Sequence, residues 1–113
     1  MDIEGVATVL PVDDVPAAAE IWAALLGVAP TFVDGERWAQ FDVGGRRIAL
    51  AGADRVSNLP GVMLKVADLA AASSRAAEQG LTVGPVQSGP HEDRCLVEAP
   101  GGWPVILYSP RAR

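Results

Sequence analysis

The stretch Gly5-Val6-Ala7-Thr8-Val9-Leu10-Pro11-Val12-Asp13-Asp14-Val15 decides the fold, because Gly61-Val62-Met63-Leu64-Lys65-Val66-Ala67-Asp68-Leu69 restates it. Each begins as an apolar run rich in β-branched residues, which predicts a strand over 5–12 and another over 61–66. Each then reaches an aspartate placed to cap a helix, Asp14 or Asp68. Pro16 is tolerated in the first helical turn, where the N–H groups have no partner in any case. Ala18, Ile21, Trp22, Leu25 and Leu26 recur at helical spacing, with Trp22 read as core, and Gly27 fits the left-handed position that ends a helix. In the second copy Leu69, Ala72 and Ala76 share one helix face before Gly80.

Short strands follow each helix. In the first copy they are expected at 30–33, 37–43 and 46–51, with turns at Asp34-Gly35 and Gly44-Gly45. After a polar connector over 52–60 the second copy places strands at 82–87, 94–98 and 103–108, with a turn at Pro100-Gly101-Gly102. Helix stop and glycine turn recur in the same order, Gly27 with Gly80 and Gly44-Gly45 with Gly101-Gly102. A repeat of this kind predicts an α+β fold of two βαβββ modules, about 5–51 and 61–109, within a single domain spanning 1–113. The expected form is two curled mixed sheets around a cleft.

Half of the 113 residues are hydrophobic and a fifth are charged, an ordinary globular composition. The net charge of −5 and the scatter of basic residues, beyond Arg46-Arg47 and the terminal Arg111 and Arg113, argue against nucleic acid and membrane surfaces as partners. The same acidic balance favours a cationic ligand over an anionic one. Met1-Asp2-Ile3-Glu4 does not resemble a signal peptide, and no apolar run is long enough to span a bilayer. Cys95 is the only cysteine, so no internal disulfide can form. A cytoplasmic protein is expected.

Two runs carry a family resemblance. Leu10-Pro11-Val12-Asp13-Asp14-Val15 followed by Ile21-Trp22-Ala23-Ala24-Leu25-Leu26-Gly27 resembles the strand–aspartate–helix run of the vicinal oxygen chelate superfamily, which includes glyoxalase I, extradiol dioxygenases and bleomycin-resistance proteins. Ala99-Pro100-Gly101-Gly102-Trp103-Pro104-Val105-Ile106-Leu107 resembles that superfamily's Asp-Pro-x-Gly-Asn-Pro-x-Glu-Leu ending. The resemblance covers about residues 5 to 109 and implies the glyoxalase/bleomycin-resistance-like fold. It also implies a homodimer, since such clefts are built from paired modules. The metal ligands of the superfamily, carried over by position, fall on Ala7, Ala49, Gly61 and Ile106. None offers a donor. The resemblance therefore implies the fold and a small-molecule cleft, but no metal and no other cofactor.

Strand alternation sorts the remaining candidates. A two-residue turn at Gly44-Gly45 pairs Val43 with Arg46, Asp42 with Arg47, Phe41 with Ile48, Gln40 with Ala49 and Trp38 with Ala51. Phe41, Val43, Ile48 and Leu50 then face the helix. Trp38, Gln40, Asp42, Arg47 and Ala49 face the cleft, the side that holds the implied ligand position. The same logic in the second module sends Cys95, Val97, Ala99, Pro104, Ile106 and Tyr108 to the cleft, and Leu96, Val105 and Leu107 to the core. Ala7, Val9, Gly61 and Met63 line the first strands.

A mostly apolar surface with a few polar groups suits an aromatic or polycyclic ligand. Each residue also has a plainer role: Trp38 as dimer cover, Asp42 and Arg47 as a cross-strand ion pair, Trp103 as a shield for the sheet end, Cys95 as a buried hydrophobe. His91, the only histidine, sits in a Gly-Pro loop, where it is either an acid–base group or idle. Three functions remain open. One is a metal-independent binder of the bleomycin-resistance type, sequestering a small molecule such as an antibiotic. Another is a metal-free isomerase, cyclase or lyase using His91, Asp42 or Glu92. A module serving only dimerisation or sensing is the third.

Overall fold

The computed structural model describes residues 3–111. Met1, Asp2 and Arg113, used above for their charge and position, lie outside the described residues. The elements are β1 (Ile3–Pro11), α1 (Val15–Leu26), β2 (Phe32–Asp34), β3 (Trp38–Val43), β4 (Arg46–Ala51), β5 (Gly61–Val66), α2 (Leu69–Glu78), β6 (Thr82–Val83), β7 (Gln87–Ser88), β8 (Glu92–Glu98) and β9 (Pro104–Pro110). They form an α+β fold of two compact units. One spans Ala7–Pro60, and the other runs from Gly61 onward with the start of β1 up to Val6. No helix among the described residues is long and apolar enough to cross a membrane.

In the first unit the sheet order is β2-β3-β4-β1, mixed because β1 runs parallel to β4 while β4 runs antiparallel to β3. Asp14 caps α1 by accepting the Ala17 amide at 3.0 Å, and Gly27 ends it at φ 73° with its N–H on the Ala23 carbonyl. The helix lays Val15, Ala19 and Trp22 against Ala39, Phe41 and Leu50, with Leu10, Val12, Ala18, Ala23 and Leu26 closing the cluster. Val15, Ala19, Trp22 and Leu26 are spaced so that one face follows the sheet. Ile21 and Leu25 fit the helical period but fall on the outer stripe, 63% and 70% exposed. Arg55 ties the connector back to β1, its Nη1 donating to the Val12 carbonyl at 3.0 Å.

The second unit repeats the plan. Asp68 accepts the Ala71 amide at 3.0 Å, and α2 buries Leu69, Ala72 and Ala76 as the spacing predicts. The strand expected at 82–87 is two pieces. Val83 pairs with Val97 but Gln87 pairs with Arg94, so the intervening residues bulge out of register. Pro85 has no N–H for the ladder, and the Gly84 amide makes the last regular bond, to Leu96, at 2.8 Å.

The turn before β9 overturns part of the face assignment. In the first unit Gly44 and Gly45, at φ 56° and 77°, close the expected two-residue hairpin, and every predicted pair from Val43–Arg46 to Trp38–Ala51 is present. In the second, a short 3-10 turn over Pro100–Gly102 lengthens the loop, and the Ala99 amide bonds the Trp103 carbonyl. Glu98 therefore pairs with Pro104, and Cys95 with Leu107. A one-residue change of register moves a strand's side chains to the opposite face. Cys95 and Val97 lie in the core under α2 with Leu107 and Val105, not on the opposite face, whereas Arg94, Leu96 and Glu98 share the side of Ile106 and Tyr108. Trp103, read as a shield for the sheet end, is 60% exposed.

Candidate functional site

Each unit presents one sheet face that its helix does not cover. In the first unit this face carries Trp38, Gln40 and Asp42 from β3 beside Ala51, Ala49 and Arg47 from β4. The Trp38 indole donates through Nε1 to Gln40 Oε1 at 3.0 Å, which fixes the ring plane relative to the amide. Phe32 stands opposite Gln40 on β2 and is 43% exposed. At the hairpin end, Arg47 Nε donates to Asp42 Oδ1 at 2.8 Å and Thr31 Oγ1 donates to Asp42 Oδ2 at 2.6 Å. The Arg47 hydrogen bond, then the Thr31 bond, hold the Asp42 carboxyl below the usual aspartate range. An aspartate so committed is a weak proton acceptor at neutral pH. Trp38, Gln40, Asp42 and Arg47 are thus brought together as expected. Phe32 and Thr31 were missed, although β2 was foreseen. Its pairing offset, Phe32 with Gln40, is set by the Asp34–Arg37 turn and is not visible in its three residues.

In the second unit the uncovered face carries Ile106 and Tyr108 from β9, Arg94, Leu96 and Glu98 from β8, and Met63 and Lys65 from β5. Cys95 is buried as a free thiol, and desolvation pushes its pKa up. It is not disposed to act as a nucleophile. His91 is exposed at the tip of the hairpin joining β7 to β8, which the Gly89 amide closes on the Glu92 carbonyl at 2.7 Å. Glu92 lies on the Tyr108 side of β8, its Oε1 3.5 Å from Arg94 Nη1. The sequence reading passed over Lys65, yet alternation from Gly61 and Met63 points to it directly.

Neither a protein-family model nor a curated protein sequence matches the chain. Solved structures do. A Legionella pneumophila protein described as an NAD-dependent benzaldehyde dehydrogenase superposes with a TM-score of 0.85 at 11% identity, over 94% of this chain and 99% of that one. Methylmalonyl-CoA epimerase from Mycobacterium tuberculosis gives 0.69 at 21% identity, over 97% and 90%. A glyoxalase/bleomycin resistance protein/dioxygenase superfamily member from Vibrio splendidus gives 0.67 at 15% identity, over 92% and 97%. The chain has the vicinal oxygen chelate fold. At these identities the likeness fixes the fold, not the chemistry.

The family resemblance of the sequence carries the superfamily's metal-ligand positions onto Ala7, Ala49, Gly61 and Ile106. The residues present do not fit a metal. Ala7, Ala49 and Ile106 are 5%, 0% and 4% exposed and carry only carbon side chains. Gly61 is closed sterically as well. A Cβ there would stand 2.5 Å from the Pro104 carbonyl oxygen and 3.1 Å from Pro104 Cβ, so no donor side chain can be placed without moving β9. Among the described residues no group of three or more His, Cys, Asp or Glu is placed to hold a metal ion.

Proposed function

We propose that this chain is a metal-independent small-molecule-binding protein of the bleomycin-resistance type, sequestering an aromatic or polycyclic ligand such as an antibiotic. The observation that carries the reading is Trp38. Its indole is held by Gln40 on a sheet face the helix leaves uncovered, with Phe32 opposite Gln40 on the neighbouring strand, so a flat apolar surface is oriented in advance for stacking. Asp42 and Arg47 supply polar groups at the hairpin end of the same face. The closed Gly61 position supports binding that does not use a metal or another cofactor.

The enzymatic alternative, a metal-free isomerase, cyclase or lyase, has weaker support. Asp42 is held ionised by Arg47 and Thr31, Glu92 lies against Arg94, and His91 sits exposed at a hairpin tip. We further propose that both modules act as one domain, in the cytoplasm, where the Cys95 thiol persists. The protein is proposed to be a homodimer, in which a second copy would cover the exposed Ile21 and Leu25 of α1. Light scattering at twice the 11.7 kDa chain mass is expected, and 11.7 kDa would refute the dimer.

A thermal-shift screen of planar aromatic compounds tests the function. Stabilisation by at least one planar compound, recovered chemically unchanged after prolonged incubation, is expected. No response to any planar compound would remove the binder, and conversion of the bound compound would favour the enzyme.

A further inference from the structure

Lys65 is the only lysine in the chain and Tyr108 the only tyrosine, and they are direct neighbours across β5 and β9. Arg94 on β8 is the neighbour of Tyr108 on its other side. All three point away from α2, because Leu64, Val66, Leu107 and Cys95 occupy the alternate positions in the core. The row is therefore cation, phenol, cation across three adjacent strands. Strands lie about 4.8 Å apart, so the two cationic residues start about 10 Å apart and their long side chains can converge over the Tyr108 ring. The architecture does not require charge there. By the repeat, the same row of the first unit is Pro11, Ala51 and Trp38, which is uncharged.

Lys65 is half-buried on a strand flanked on both sides, and among the described residues no carboxylate forms an ion pair with it. A half-buried lysine lays its stem along the sheet and keeps its ammonium at the surface, and with no carboxylate partner that charge is open to a bound anion. The Arg94 side chain is only 12% exposed, and its Nη1 lies 3.5 Å from Glu92 Oε1 on the same face. The next row toward the sheet interior, Met63, Ile106 and Leu96, is wholly apolar.

We propose that Lys65, Tyr108 and Arg94 form a binding row for an oxyanion, carboxylate or phosphate, carried on an apolar small molecule. The inference rests on the small-molecule-binding reading above and gives the second unit's open face a preference for anionic ligands. It reverses what the net charge of −5 suggests, because a local pair of cations outweighs scattered surface carboxylates at contact distance.

The single lysine makes the test direct. Reductive methylation with 13C-formaldehyde labels Lys65 and the N-terminal amine while keeping their charge. 1-Naphthoate and 1-naphthyl phosphate should each shift the dimethyl-Lys65 signal saturably. 1-Naphthalenemethanol and 1-naphthylmethylamine, with the same ring, should not. By tryptophan fluorescence the tighter of the two anions should bind about tenfold more strongly than the alcohol, as expected for a charge-assisted contact. Which anion is tighter decides between carboxylate and phosphate. Lys65→Met should reduce the preference to threefold or less, and Tyr108→Phe should lower it without abolishing it. Equal binding of the anions and the alcohol, or a preference unchanged in Lys65→Met, overturns the anion row and leaves the small-molecule reading standing. Binding of none of the four probes overturns both.

Discussion

Gly61 is one of the four positions that the family resemblance matches to metal ligands, and Gly61→Ala measures how firmly it is closed. The added Cβ would meet the Pro104 carbonyl oxygen at 2.5 Å, whereas ordinary contact begins near 3.4 Å, so β5 and β9 must part by about 0.9 Å. Overpacking of this kind costs about 1–3 kcal/mol. Gly61 lies outside the left-handed region, so alanine regains about 0.4–1 kcal/mol through the unfolded chain. Taking the middle of each range, about 2 and about 0.7 kcal/mol, the net loss is about 1.3 kcal/mol. With an unfolding entropy of about 2.1 cal/mol/K per residue, a chain of 113 residues loses about 5 °C in Tm. Gly5→Ala is the matched control, since its Cβ would meet Lys65 Cβ at an unstrained 3.7 Å and should leave Tm unchanged or raised. Circular dichroism melts of both variants are sufficient. A Gly61→Ala protein melting within about 1 °C of the parent would refute the steric argument.

Phe41→Ala, which empties the largest fully buried side chain of the first core, should cost about 3–5 kcal/mol by urea denaturation; a loss below about 1 kcal/mol would contradict that packing. Cys95 should resist a thiol reagent under native conditions and react fully in denaturant, whereas rapid native labelling would place it on the open face after all. The Asp42 carboxyl should titrate below the ordinary aspartate value in NMR, and Arg47→Met should move it upward. Because the folded pKa is the depressed one, the stability this pair contributes is present above the unfolded value of about 3.9 and disappears as pH falls through the lower folded value. The pair is partly exposed, so the effect is small, and an Asp42 titration unaffected by Arg47→Met would exclude the pairing.

The repeat made most of the fold legible. Asp14 and Asp68 both cap as read, α1 and α2 start at Val15 and Leu69, and the Gly44-Gly45 hairpin holds the predicted register along its whole length. What failed was the assumption that Gly101-Gly102 makes the same turn. Loop length sets parity, and Pro100 begins a 3-10 turn that shifts the pairing, which put Cys95 and Val97 on the wrong face. The bulge at Gly84-Pro85 was equally local and could have been suspected from the missing proline donor. Ile21 and Leu25 show a further limit. Helical spacing identifies stripes, but which stripe faces the sheet depends on where Val15 enters. The uncovered faces were half legible: Trp38, Gln40, Asp42 and Arg47 followed from alternation, and Lys65 follows from it as well, while Phe32 and Thr31 depended on a turn.

The most direct measurement is a calorimetric titration of 1-naphthoate into protein stripped with a chelator, repeated with zinc, manganese or iron(II) added in equal amount. Affinity that is the same in all four conditions, with no metal retained after desalting, is what the donor-less side chains of Ala7, Ala49 and Ile106 and the closed Gly61 predict. Binding that appears only when one of these ions is held in stoichiometric amount would contradict it.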